Sequence, residues 1–127
     1  MSDKKTILIV DDEEDIRIIL HAFLDSEGYN ILEAPDGPAG LKTAQNQKVD
    51  MILLDIMMPG MDGFQTLDNL RSNSVTQDIP VIMLTGLDEK DKIRNALSKG
   101  VTYYVTKPFD NMDLASKIRT VLSGQMI

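Results

Sequence analysis

Two short runs, Thr6-Ile-Leu-Ile-Val10 and Met51-Ile-Leu-Leu54, end abruptly at acid, the first at Asp11-Asp12 and the second at Asp55. Aliphatic runs of this length, with no polar residue alternating through them, suit strands covered on both faces, as the central strands of a parallel sheet are. If the two strands lie side by side and parallel, their carboxylates meet at one edge of the sheet. Acids crowded against an apolar core repel one another and are costly to leave unpaired. A hard divalent cation is the usual resolution.

The rest of the chain alternates between the two periodicities. Ile16, Ile19, Leu20, Phe23 and Leu24 recur at helical spacing and predict one apolar helix face, with acids from Asp12 to Asp15 at its start and Gly28 at its end. Tyr29 to Ala34 reads as a second strand, and Asp36-Gly-Pro38 opens a helix carrying Ala39, Leu41 and Ala44. After the Met51–Leu54 strand, Pro59-Gly60 and Asp62-Gly63 mark a loop, followed by a helix through Phe64, Leu67 and Leu70. Pro80 to Leu84 is a fourth strand, and Ile93, Ala96 and Leu97 define a helix stopping at Gly100. Tyr103 to Val105 is a short fifth strand, and Leu114, Ile118, Val121 and Leu122 give a last amphipathic helix. Strand and helix in strict alternation predict an α/β domain: a doubly wound, five-stranded parallel sheet with helices on both faces.

Composition narrows the function classes. A chain of 127 residues suits one domain with one core. With no cysteine, disulfides, thiolate metal sites and cysteine nucleophiles are excluded. The net charge of −7 and the scattered lysines and arginines weigh against nucleic acid as a direct partner. No apolar run approaches the ~20 residues of a membrane span. The N-terminus does not read as a signal peptide, so a cytoplasmic protein is expected. Residues 3–124 are expected to form the domain, with 125–127 a tail or the start of a linker.

In open α/β sheets, ligands bind beyond the carboxyl ends of the strands. Here those ends carry Asp11 and Asp12, Asp55, Thr85-Gly86 and Thr106-Lys107-Pro108. Carboxylates suit Mg²⁺, Lys107 can neutralise a phosphoryl group, and Thr85 can donate a hydrogen bond to one. The set reads as a phosphoryl-transfer site in which a carboxylate can itself be the nucleophile. A plainer role stays open for Asp11 and Asp12, as caps of the first helix. The lone His21 reads as a surface residue, and the methionines as core or loop filler.

Four segments together resemble the receiver domain of two-component response regulators: Ile9-Val-Asp11-Asp12-Glu-Glu14, Leu53-Leu-Asp55-Ile-Met-Met-Pro59-Gly-Met-Asp62-Gly63, Val81-Ile-Met-Leu-Thr85-Gly86 and Tyr104-Val-Thr-Lys107-Pro108-Phe109. The resemblance implies a flavodoxin-like strand order 2-1-3-4-5. It implies that Asp55 accepts a phosphoryl group from a histidine kinase or histidine phosphotransfer protein. Asp11, Asp12, Asp55 and the backbone carbonyl of Met57 would hold Mg²⁺, and Lys107 would pair with the phosphoryl oxygens. Thr85 and Tyr104 would form the conformational switch, and Pro108 would follow a cis peptide bond. The output would be a downstream protein effector or a missing output domain, with the chain a monomer or a phosphorylation-dependent dimer.

Some residues depart from that pattern. Thr102 and Tyr103 stand where DNA-binding members often carry two aspartates that pair across a dimer interface, which weakens the expectation of that dimer. Val101 replaces a frequent alanine. Met57 and Leu87 flank the expected phosphoryl position and are apolar, so neither can orient an attacking water, and slow self-hydrolysis is expected. Two other classes remain in view. One is a receiver-like docking module that takes no phosphate; the other is a phosphatase or a nucleotide- or flavin-binding enzyme. Retention of the acids and Lys107 argues against the first. Against the second stand the missing glycine-rich loop and the absence of an acid at position 57.

Overall fold

The computed structural model describes residues 4–86, Arg94, Ser98 and residues 101–124, with Thr85 described through its backbone. Its elements run β1 (Thr6–Val10), α1 (Glu14–Ser26), β2 (Asn30–Ala34), α2 (Gly37–Asn46), β3 (Met51–Asp55), α3 (Gly63–Arg71), β4 (Val81–Thr85), β5 (Tyr103–Thr106) and α4 (Asn111–Ser123). The helix expected around Ile93, Ala96 and Leu97 lies outside the described residues, apart from Arg94 and Ser98, which are both helical.

All strand pairings are parallel, in the order β2-β1-β3-β4-β5. The chain thus winds outward from β1 to β2, returns to β3 on the other side of β1, and continues to β5. The crevice where that direction reverses lies between the carboxyl ends of β1 and β3. Successive side chains on a strand face opposite ways, so the sheet feeds two cores. Leu8, Val10, Ile52, Leu54 and Met83 pack with Leu67 and Leu70 of α3 and Ala44 of α2. Ile7, Ile9, Leu53 and Ile82 pack with Leu20 and Leu24 of α1 and with Leu114 and Ile118 of α4. β3 is buried along its whole length, as an uninterrupted aliphatic run requires.

The helix starts follow their caps. Asp36 accepts the Ala39 amide at 2.8 Å to open α2, and Asp62 and Gln65 form a reciprocal capping box on α3. The α1 start differs: the residue in the capping position before it, Glu13, makes no side-chain cap. One expectation for α1 is corrected. Ile19 is 53% exposed and off the core face, because it is turned roughly 100° from Leu20 and falls outside the arc set by Ile16, Leu20, Phe23 and Leu24. Among the described residues, no helix is long and apolar enough to cross a membrane.

Gly63 ties α3 to the end of β3. A Cβ there would stand 2.4 Å from the Asp55 carbonyl oxygen and 2.7 Å from Ile56 Cα, both backbone atoms, while the Gly63 amide bonds to the Ile56 carbonyl at 2.9 Å. Gly63→Ala is therefore expected to destabilise the fold by about 1–3 kcal/mol, read as a lowered urea midpoint, because backbone must move to admit the methyl group.

Candidate metal centre

The sheet register brings the acids together. Val10 pairs with Leu54, so the next residues along, Asp11 and Asp55, stand opposite each other at the β1/β3 crevice. Asp11 is fully buried and Asp55 is 2% exposed, whereas Asp12 faces solvent. One carboxylate oxygen from each of the three lies within 4.8 Å of the others.

Lys107 reaches this cluster from the end of β5, two strands away from β3. Its ammonium lies 3.0 Å from Asp11 Oδ2, 3.4 Å from Asp55 Oδ1 and 3.5 Å from Glu13 Oε1. The Lys107–Pro108 bond is cis, as expected from the resemblance. Asp11 accepts the Glu13 amide at 2.9 Å through its other oxygen, and Asp55 Oδ1 accepts the Met57 amide at 3.4 Å. Asp11 therefore serves the turn into α1 and the acid cluster together.

The electrostatics follow from this crowding. Burial pushes the Asp55 carboxyl up to about 7, and the neighbouring Asp11 charge adds to the rise; Lys107 and the Met57 amide pull the other way without cancelling it. For Lys107, burial disfavours the ammonium, but its hydrogen bonds and charge contacts with Asp11 and Asp55 outweigh that and raise its pKa. Three carboxylates share one nearby ammonium, leaving an excess of negative charge. An all-oxygen donor set of this kind, with two acids buried and one open to solvent, fits Mg²⁺, which binds few carboxylates and keeps waters.

The other expected residues are placed as follows. Thr85 ends β4 with its backbone paired to Thr106, one residue before Lys107; Leu87 lies outside the described residues. Tyr104 packs against the core beneath α2 and α3, and Tyr103 against the core on the opposite face. A groove of about 480 Å³ beside β5 is lined by Tyr104, Phe109 and Lys117, among others. Met57, two residues beyond Asp55, is 50% exposed.

Sequence reasoning missed two features of the surroundings. The sequence marks Glu13 only as one of the acids at the start of the first helix, yet its carboxylate reaches Lys107. Arg17 and Glu33 were not singled out, yet Arg17 Nη1 donates to the Asp11 carbonyl at 2.6 Å and its Nε to Glu33 at 3.3 Å. The available signal was faint: β1-α1-β2 order makes α1 and β2 neighbours, but no spacing rule links one arginine to one glutamate.

Comparison with known proteins agrees with this geometry. The family model of the response regulator receiver domain matches residues 7–119. The phosphate regulon transcriptional regulatory protein PhoB of Pseudomonas aeruginosa is 41% identical over 93% of this chain and 52% of its own length. The response regulator PleD of Caulobacter vibrioides is 38% identical over 95% of this chain and 27% of its own. The chain thus spans about a quarter to a half of these relatives. Among solved structures, chemotaxis protein CheY4 of Vibrio cholerae superposes with a TM-score of 0.88 at 31% identity, covering 94% of this chain and 99% of that one. A CheY-like receiver domain protein from Methanospirillum hungatei gives 0.90 at 31% identity, covering 97% of each.

Proposed function

The chain belongs to the response regulator receiver domain family of two-component signalling, and on that footing we propose that it is a phosphorylation-controlled switch with Asp55 as phosphoacceptor. The observation that carries this reading is the single ammonium of Lys107 held between two buried acids, Asp11 and Asp55, with Asp12 beside them. An Asp55 oxygen would attack the phosphorus of a phosphohistidine on a kinase or phosphotransfer partner. As the new O–P bond forms, the P–N bond breaks and the imidazole leaves with the electron pair, producing an acyl phosphate on Asp55.

Attack requires an ionised carboxylate, and a group titrating near 7 is only partly ionised at neutral pH. Asp11, Asp12, Asp55 and the Met57 backbone carbonyl would hold Mg²⁺, whose charge favours the ionised nucleophile and offsets charge on the transferring oxygens. Lys107 would exchange its contact with Asp55 for the phosphoryl oxygens, answering the added negative charge.

The output rests on the same logic. Thr85 would hydrogen-bond the phosphoryl group, and Tyr104 would follow it inward, biasing the groove beside β5 toward a downstream effector or output domain. Support comes from the place of Thr85 at the end of β4 and of Tyr104 on neighbouring β5. The phosphoacceptor domain would comprise residues 3–124, act in the cytoplasm, and be a monomer or a phosphorylation-dependent dimer.

Phosphoramidate, whose P–N bond mimics phosphohistidine, tests the reading. With Mg²⁺, wild type is expected to gain the mass of one phosphoryl group, and Asp55→Ala to gain none. No gain in wild type would leave a docking module and contradict the proposal. A second expectation concerns lifetime. The thioether of half-exposed Met57 cannot orient water as an amide can, so Met57→Asn is expected to lose phosphate several-fold faster than wild type. An equal or slower loss, followed by intact mass over time, would contradict it.

A further inference from the structure

We propose that Arg17, held by Glu33, is the positioning residue for the Asp11–Asp12 turn, and that it sets how well the acid cluster binds a divalent cation. This rests on the metal-binding reading given above. Asp11 and Asp12 lie in the turn between β1 and α1, where the regular ladder has ended. The Asp11 amide still bonds the Ala34 carbonyl at 3.2 Å, but its own carbonyl lies beyond the last paired residue of β1. Arg17, one turn into α1, closes that gap. Its side chain is only 14% exposed, and its Nη1 donates to the Asp11 carbonyl at 2.6 Å.

The same guanidinium is fixed from the other side. Its Nε donates to Glu33 Oε1 at 3.3 Å, and the second Glu33 oxygen meets His21 Nδ1 at 2.5 Å. Glu33 stands on β2, the edge strand, so the chain of contacts runs from β2 through α1 to the backbone of a buried acid. A planar fork can serve a carbonyl and a carboxylate at once; a lysine has one point charge and cannot hold both in fixed geometry. Asp11 is then anchored at four atoms: its amide, its carbonyl and both carboxylate oxygens. Glu33 touches none of the acids here; it acts through Arg17. Groups that orient metal ligands from behind in this way typically set metal affinity by about 10- to 100-fold.

The test is a Mg²⁺ titration of the full chain, followed by amide shifts in NMR, with the metal alone as probe. Arg17→Ala is expected to weaken Mg²⁺ binding about tenfold or more, and Arg17→Lys to recover part of the loss. Glu33→Gln is expected to weaken it less, and the double variant Arg17→Ala/Glu33→Gln to match Arg17→Ala, because Glu33 has no separate route to the site. Arg119→Ala breaks a different ion pair, between α4 and the residue that follows α1, Arg119–Glu27 at 3.5 Å, and is expected to leave the affinity at the wild-type value. Should Arg17→Ala fail to fold, amide exchange at Glu13 in metal-free Arg17→Lys is expected to exceed that of wild type, since the turn would open more often. Wild-type affinity in folded Arg17→Ala, additive loss in the double variant, or unchanged exchange in Arg17→Lys would overturn the inference. Failure of wild type itself to bind Mg²⁺ would instead remove the metal reading and this inference with it.

Discussion

Replacing Lys107 with alanine is expected to cost about 3 kcal/mol of stability in metal-free protein and to abolish efficient phosphoryl acceptance. The ammonium is the shared partner of Asp11 and Asp55, both buried, at 3.0 and 3.4 Å. Its loss leaves two acids facing each other in a site from which most water is excluded. The cost is bounded because Asp55 can take up a proton rather than remain charged, so its pKa should move above the wild-type value near 7. The check is a double-mutant cycle by urea unfolding: Lys107→Ala should cost much less in an Asp55→Asn background, where one of the two charges is already gone. Full additivity would mean that the Lys107–Asp55 contact carries no energy in the folded protein.

Asp55→Asn is expected to act in the opposite direction, stabilising the metal-free chain by on the order of 2–4 kcal/mol near pH 8. The sign follows from linkage. The folded-state pKa of Asp55 is raised from 3.8 to about 7, so between those values the native state binds more protons than the unfolded one. Stability contributed by the neutral carboxyl is therefore complete below about pH 4 and is lost as pH rises through about 7. An amide, which never ionises, escapes that loss. The gain of the variant over wild type should thus grow from near zero at about pH 4 to its maximum above pH 7. Mg²⁺ should narrow the difference by stabilising wild type more than the variant. Thermal unfolding across that pH range, with and without Mg²⁺, measures both effects. A gain that is flat with pH would show that Asp55 is not the strained acid of the cluster.

Most of the fold was legible because strand and helix periods alternate cleanly and their boundaries carry readable caps. The buried run ending at Asp55 gave β3 to within a residue, and Asp36 announced the start of α2; Asp62-Gly63 read as loop, whereas Asp62 caps α3 and Gly63 is its first residue. Ile19 misled because the apolar residues from Ile16 to Leu24, interrupted only at Arg17 and His21, do not reveal where a helix face ends. The meeting of Asp11 with Asp55 was legible once the strands were taken as parallel neighbours, since both acids directly follow aliphatic runs. The distribution of contacts was not. That Asp11 rather than Asp55 lies nearest the Lys107 ammonium depends on loop geometry after β1 and β5, where no periodic rule applies. Arg17 and Glu33 were hidden for a related reason: a side chain that reaches a backbone carbonyl leaves no pattern in the sequence around it.

The most direct test is to find which residue carries the phosphoryl group. After loading with phosphoramidate and Mg²⁺, borohydride reduces an acyl phosphate to the alcohol, so a phosphorylated aspartate becomes homoserine and can be mapped by peptide mass spectrometry. Conversion confined to position 55 is the predicted result. Modification of Asp11 or Asp12, or a phosphoryl group retained on His21, would contradict it.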